Sequence, residues 1–574
     1  MTASFPATTW RHARSPEAAG GKVDLERRGR WRVCFAIAGF GLLYGVLAAR
    51  LVLLGIGAQA EEAGGAGFVQ APAQARPDVT DRNGETLATD IKTASLFAEP
   101  RFIVDADEAT ELLATVFPEL DRGRLLNLLS TDAKFAYIKR GITPRQQQAV
   151  HHLGIPGIGF RVENRRFYPG GSTAAHVLGT VNIDNQGIAG IEKYIDRAFL
   201  TDLQAAGFAT GHAIEPVRLS LDLRVQHVVR DELLTAMEKY KAIAAIGIVL
   251  DVDTGEVVGM SSLPDYDPNN RDEALDKDKM NRATVGVYEM GSTFKGFTTA
   301  MALDSGRVKI SDSFDARGTL QVGRHTISDF HGKHRVLTVP EIFIFSSNIG
   351  TAKMALAAGT PEQESFLKKI GLLDPMRTEL PEVGAPIVPK MPWSKISTIT
   401  ISFGHGISVS PMQTAAAGAA LINGGLLIPP TFLPRTPEQA ASVAHQVIRP
   451  ETSEIMRHLF RLNVIKGSGK RASVPGYSVG GKTGTAEKVV NGRYSGNKRR
   501  NAFLAGFPMD APKYLVLVVL DEPQSEKPGV GATAGLNAAP TVGNIVRRIA
   551  PMLGIEPKAI DPDDDPAMAL AFAQ

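Results

Sequence analysis

Cysteine is almost absent from this chain of 574 residues, which has one, Cys34. A disulfide framework, a Cys-rich zinc site and a Cys-ligated iron–sulfur cluster are thereby excluded. No HExxH occurs, and the twelve histidines are scattered, with His151-His152 the one close pair. Charge of one sign is lacking too: 63 Lys+Arg against 60 Asp+Glu leave +3, too little for a chain whose main partner is a nucleic acid or another polyanion. No fixed-period repeat is visible. A catalyst of this composition is expected to work without thiols, and no metal or cofactor is expected. What is present, 44% apolar and 21% charged residues, excludes wholesale disorder. The length implies about three or four domains or segments.

Long apolar runs are also missing, with one exception. Residues 33–49 (VCFAIAGFGLLYGVLAA) carry no charge, Arg50 interrupts, and LVLLGI follows at 51–56. As a helix this stretch is about 36 Å long, enough for a hydrocarbon core of about 30 Å, and Arg50 near its far end could snorkel to the interface. The first 32 residues hold seven Lys/Arg against three acids, so the positive-inside rule puts the N-terminus in the cytoplasm. Ala58-Gln59-Ala60 resembles a signal-peptidase site, but the apolar stretch is too long for a signal peptide, and an uncleaved anchor is expected. Cys34 is then a small apolar residue in the span, and almost everything after Gly57 lies outside the cytoplasm.

The expected organisation is a cytoplasmic tail at 1–32, a transmembrane anchor at 33–56, an Ala/Gly-rich linker at 57–75, an extended α+β module at 76–218, a second α+β domain at 219–555, and a loose acidic tail at 556–574. Turn signals punctuate the first module at Arg82-Asn83-Gly84, Tyr168-Pro169-Gly170-Gly171 and Asp184-Asn185-Gln186-Gly187. In the second, Val225, Val228, Val229, Leu233, Ala236, Met237 and Tyr240 share a helical face behind Asp222 as cap. Residues 246–250 and 256–260 flank a hairpin turn at Asp251–Gly255, Ser410-Pro411-Met412-Gln413 is a capping box, and 502–507 and 514–520 read as strands.

Three short motifs then occur in order: Ser292-Thr293-Phe294-Lys295, Ser346-Ser347-Asn348 and Lys482-Thr483-Gly484-Thr485. A serine hydroxyl is nearly unreactive at neutral pH and needs a base. Ser and Lys at i, i+3 share a helix face, so the Lys295 amine can take the Ser292 proton if burial lowers its pKa. Phe294, Phe297 and Met301 make that helix apolar, Gly291 permits a tight entry, and the helix N-terminus offers N–H groups to an oxyanion. Ser346 would relay protons to a leaving amine and Asn348 would hold substrate amides. Lys482 and Thr483 offer charge and a hydroxyl to a substrate carboxylate, and Gly484 would let substrate approach the strand. Two decoys compete. Ser495-Gly-Asn-Lys498 repeats the first pattern in a basic loop with no helix to align it. Gly476 to Thr483 satisfies the Walker A pattern, but its context reads as a strand entering a hairpin rather than as strand, loop and helix.

At these residues the chain resembles the class B penicillin-binding proteins, most closely the division-specific peptidoglycan D,D-transpeptidase (FtsI) type. Thr80-Asp-Arg-Asn-Gly-Glu-Thr-Leu-Ala88, Arg166-Phe-Tyr-Pro-Gly170, Ala175-His-Val-Leu-Gly179 and Gly190-Ile-Glu192 are similar to pedestal signatures. Ser402-Phe-Gly-His-Gly406, Ser410-Pro-Met-Gln413, Gly481-Lys-Thr-Gly-Thr-Ala486 and Asp521-Glu-Pro523 resemble segments near the cleft. The departure is Arg76-Pro77-Asp78, where a glycine usually follows the arginine.

The resemblance implies an anchor helix, a non-catalytic pedestal (dimerisation-type) domain, and a penicillin-binding transpeptidase domain whose antiparallel sheet is flanked by helices, as in serine β-lactamases. It implies Ser292, Lys295, Ser346, Asn348 and Lys482 as catalytic, and Thr483, Gly484 and Thr485 as substrate-binding, Thr485 also giving an oxyanion N–H. The implied reaction is attack on the penultimate D-Ala of a stem peptide, with β-lactams as inhibitors and the acyl-enzyme resolved by a neighbouring stem. Implied partners are peptidoglycan strands, an FtsW-type glycan polymerase and other division proteins, at the septal inner membrane of a bacterium with the catalytic domain periplasmic. An elongation-specific transpeptidase, and a D,D-carboxypeptidase or β-lactam hydrolase on the same fold, remain as alternatives.

Overall fold

The chain's second-last apolar run sets the architecture of the larger half. In the computed structural model, which describes residues 41–48, 50, 76–205, 215–490, 492–527, 529–559 and 565–568, the strand Tyr514–Asp521 is buried at six successive positions. Both its faces are therefore covered. It lies between Arg493–Phe507 and Ala244–Asp251, and Gly480–Val490 and Val257–Leu263 complete an all-antiparallel sheet at its two edges. The alternation of strand side chains sorts the core. Val516, Val518 and Leu520 meet the helices Leu223–Tyr240 and Ala538–Met552, whereas Leu515, Leu517 and Val519 join Phe297, Met412 and Ala415 on the other side. Asp222 caps the first of these helices, and Ser410 and Gln413 form the expected capping box. The helix Phe294–Asp304 is buried at every position but its last, so it is covered all round, its Lys295, Thr298 and Thr299 included.

In the first module the long strand Thr86–Ala98 pairs antiparallel with Val79–Thr80, Ala136–Ile142 and Ile158–Phe167. Helices Ala106–Val116, Arg122–Leu129 and Pro144–Leu153 bring Leu113, Phe117, Leu125, Leu129 and Val150 onto Leu96 and Ile142, a core of its own. Val217–Arg218 adds a parallel pairing to Val79–Thr80. Hydrogen bonds then tie this module to the second: Arg82 N donates to Leu221 O at 2.8 Å, and Leu223 N to the Asp81 carboxylate at 3.0 Å.

Two of the segments resembling pedestal signatures meet in one buried ion network, through Arg166 and Glu192. Glu192 accepts from Arg76 Nε at 2.9 Å and from Arg166 Nε at 2.7 Å, while Arg166 also reaches Asp90 at 3.1 Å and Pro77 O at 2.9 Å. Arg76 further pairs with Asp196. Arg76 thus has its place fixed by this network. Replacing Glu192 by glutamine leaves two buried guanidinium groups short of charge and is expected to cost about 3–5 kcal/mol. Urea unfolding of the variant checks this, and a midpoint equal to that of the parent would contradict it.

The described residues from 76 onward belong to one compact unit. The tail 1–32 and linker 57–75 lie outside the described residues, as does most of the expected span 33–56. Residues 41–48 of it are helical, with Leu42, Leu43, Tyr44, Val46 and Leu47 exposed, and no helix among the described residues is long and apolar enough to cross a membrane. As expected, the Walker-like run leads into the strand Gly480–Val490 with Lys482 inside it, and that strand enters a hairpin rather than a phosphate-binding helix. Two sequence expectations change. Ser495 and Lys498 lie on the strand Arg493–Phe507, not in a loop. Part of the acidic tail is docked: Asp565 pairs with Arg461 at 2.7 Å, and Ala567 and Met568 are buried. A proline-rich acidic sequence looks loose because its partners lie far upstream, around Ile344 and around Arg461.

Candidate active site

Ser292 occupies the middle of the 3-10 turn Gly291–Thr293, which runs directly into the helix Phe294–Asp304. Ser292 and Lys295, three residues apart across this junction, lie on one face of the helix. Ser292 is half-buried, whereas Lys295 is 1% exposed. Burial drives the Lys295 amine down to about 7, with Asp329 partly opposing the shift.

The other two motifs meet at that amine. Lys295 Nζ donates to Ser346 O at 2.5 Å and to Ser346 Oγ at 3.1 Å. From the opposite side, Lys482 Nζ donates to the same Oγ at 2.9 Å. Lys482 is fully buried, and burial together with the neighbouring Lys295 charge holds its amine well below the usual lysine range. Two amines sharing one hydroxyl in a dry site cannot both carry a proton cheaply. The arrangement is a chain along which one proton can move.

Ser346 takes a left-handed conformation, φ +57°, at the end of the helix Val339–Phe345. Such a backbone in a non-glycine residue is costly and is held by its surroundings. Asp329 does much of the holding: its carboxylate accepts from Ser347 Oγ at 2.7 Å and Ile349 N at 3.0 Å. Asn348 opens the next helix, and its Nδ2 donates to Ser328 O at 2.9 Å. On the edge strand, Thr483 is buried with its hydroxyl 2.6 Å from Ser468 Oγ. Thr485, two residues on and half-buried, is left as the accessible hydroxyl of that face.

Glycines set how closely the serine turn sits on the strand. A Cβ at Gly484 would lie 2.5 Å from Met290 O and 2.7 Å from Thr293 Cγ2, and one at Gly291 would lie 2.7 Å from Thr485 O. Gly484 is therefore required by the serine turn itself, a reason that close approach of a substrate does not supply. Gly484→Ala is expected to cost about 1–3 kcal/mol through overpacking and to misplace Ser292. Thermal melting together with the rate of labelling by penicillin checks both effects.

All eight sequence-predicted residues lie in this one region. The three motifs meet directly through Ser346, and the strand motif abuts the serine turn. Sequence reasoning missed Asp329, and also Asn463, whose Nδ2 donates to Gly481 O at 2.7 Å beside Lys482. It missed Glu289 too, which accepts from Gly406 N at 2.7 Å and Tyr494 OH at 3.0 Å, joining the 402–406 loop to the strand Arg493–Phe507. None of these carries a local motif.

The Penicillin binding protein transpeptidase domain matches residues 245–547, and the Penicillin-binding Protein dimerisation domain matches 72–199. The chain is a class B penicillin-binding protein. It is 40% identical over 504 residues to the "Probable peptidoglycan D,D-transpeptidase FtsI" of Caulobacter vibrioides, covering 86% of this chain and 84% of that one. To the peptidoglycan D,D-transpeptidase FtsI of Escherichia coli K12 it is 30% identical over 522 residues, covering 86% and 87%. A structure of a peptidoglycan synthetase from Bifidobacterium adolescentis shares the fold, with a TM-score of 0.66 at 23% identity over 85% of this chain and 97% of that one. As a member of this family the chain carries the two-domain arrangement, with the transpeptidase fold built on the antiparallel sheet.

Proposed function

We propose that the chain is a serine-type peptidoglycan D,D-transpeptidase, and that Ser292 carries its acyl group. The observation that bears most weight is the Ser346 hydroxyl held between two buried amines, one of them that of Lys295, a turn along the chain from Ser292. In this reading Ser292 Oγ attacks the penultimate D-Ala carbonyl and its proton passes to neutral Lys295. The oxyanion is met by the N–H groups of Ser292 and Thr485. The C–N bond breaks, and terminal D-Ala leaves with a proton delivered through Ser346 and Lys482. An amine of a second stem peptide then attacks the ester, forming the cross-link and restoring Ser292. Asn348 holds the substrate amide, and Lys482, Thr483 and Thr485 take its carboxylate, with Thr485 the more accessible of the two hydroxyls. A β-lactam carbonyl enters the same step but leaves no departing amine, which accounts for a stable adduct.

The FtsI-type relatives support a role in septal wall synthesis, with an FtsW-type polymerase and other division proteins as partners. The basic N-terminus and the apolar stretch 33–56 support a single-pass anchor in the inner membrane, N-terminus cytoplasmic and catalytic domain periplasmic. Pedestal and transpeptidase domains are assigned to 76–218 and 219–555.

A penicilloyl adduct seen by intact mass and persisting for many minutes is expected. Rapid release of hydrolysed drug would favour the hydrolase reading. A fluorescent fusion is expected at midcell, and uniform side-wall signal would transfer the protein to elongation.

A further inference from the structure

The docked segment near the C-terminus touches the supports of both partners of the Ser346–Lys482 hydrogen bond. Ala567 and Met568 are buried with Ile344 and Leu462, and Phe345 and Ile465 pack against them. Ile344 and Phe345 immediately precede Ser346 on its helix. Asp565 accepts from Arg461 Nε at 2.7 Å, with both side chains nearly buried at 8% and 7% exposure. Arg461 Nη1 in turn donates to Val479 O at 2.9 Å, at the entry to the strand that carries Lys482. Arg461 belongs to the helix Pro450–Ile465, whose Asn463 binds Gly481 O and whose Phe460 meets Phe343 edge-on at 5.5 Å.

A tail that merely capped the surface would need neither a buried ion pair to the helix that holds the Lys482 strand nor apolar contact with the residues preceding Ser346. We propose that Asp565–Met568 is a positioning strap that sets the spacing of Ser346 and Lys482 without touching substrate. Its loss would let the Ser346 helix and the Lys482 strand part slightly, lengthening the hydroxyl–amine bond and admitting water to the amines. The proposal rests on Ser292 being the acylated residue.

The test uses the full chain in detergent, a form ending at residue 564, and the point variants Asp565→Asn and Met568→Ser. Penicillin acylation is followed across pH, with thermal melting alongside. Acylation is expected to fall about tenfold, because small misplacements of catalytic groups are costly. Its pH inflection should move upward as the amines become less dry, in the point variants as well as the truncation. Synthetic peptide 559–574 added to the truncated chain should restore the rate. Unchanged rate and inflection, or a loss that only follows the unfolded fraction, would overturn the strap. A full-length chain that takes no label at Ser292 refutes the active-site reading, and the strap with it.

Discussion

Ser292→Ala is expected to abolish covalent labelling by penicillin, a loss on the order of 10⁶ in rate, while the melting temperature stays within about a degree of the parent. The size follows from what is removed: no other group in the site has both the attack position and the oxyanion donors. Ser346 is the one rival, since both amines touch its hydroxyl. It follows the C-terminal end of its helix, however, and the N–H groups at the start of the next helix beside it are engaged, Ser347 N with Ile342 O and Ile349 N with Asp329, each at 3.0 Å, so a developing oxyanion is disfavoured. Ser292 sits at the opposite kind of end, where the first N–H groups of a helix are free. Fold stability is spared because a half-buried hydroxyl is lost without opening a core cavity. Labelling of the alanine variant at the parental rate would assign the nucleophile to Ser346.

Lys295→Arg is expected to lower acylation about 10²–10⁴-fold, the usual worth of a general base. Arginine keeps the positive charge at every working pH and so cannot take the Ser292 proton. In the parent, Lys295 titrates near 7 because it is buried. Acylation should therefore rise as pH passes upward through about 7 and level off above it, and the arginine variant should lose that inflection. The same shift has a stability sign. The folded amine binds a proton less tightly than an unfolded lysine, so the folded state bears the full penalty below about 7. Stability then recovers as pH climbs from about 7 toward 10.5, the ordinary lysine value. Lys295→Met should accordingly melt higher than the parent at pH 6 and lose that advantage at pH 10. An advantage independent of pH would mean that the buried amine carries no such penalty.

The legible parts of the molecule were those encoded locally. Ser292 with Lys295, the cap at Asp222, the capping box at Ser410 and the buried strand near the end are each set by residues within a few positions of one another. The Walker-like run shows the limit of pattern alone: the same glycines and Lys482 lie on an antiparallel strand, which only flanking sequence could indicate. Asp329 was invisible because its partners Ser347 and Ile349 come 18 and 20 residues later, across a turn with no recognisable signature. The role of Gly484 was legible as close approach but not its object, since Met290 is remote in sequence. The docking of Met568 on Ile344 was likewise beyond reach, because a tail's composition says nothing about a groove formed elsewhere.

The central claim is that an acyl group on Ser292 passes to an amine. The most direct measurement gives the full chain in detergent a D-Ala-D-Ala-terminated stem peptide, quenches rapidly, and maps the acylated residue by mass spectrometry with and without an amine acceptor. The account predicts an ester on Ser292 that the acceptor converts to amide-linked product faster than water hydrolyses it. An ester on any other residue, or one that gives only hydrolysed peptide at saturating acceptor, would contradict it.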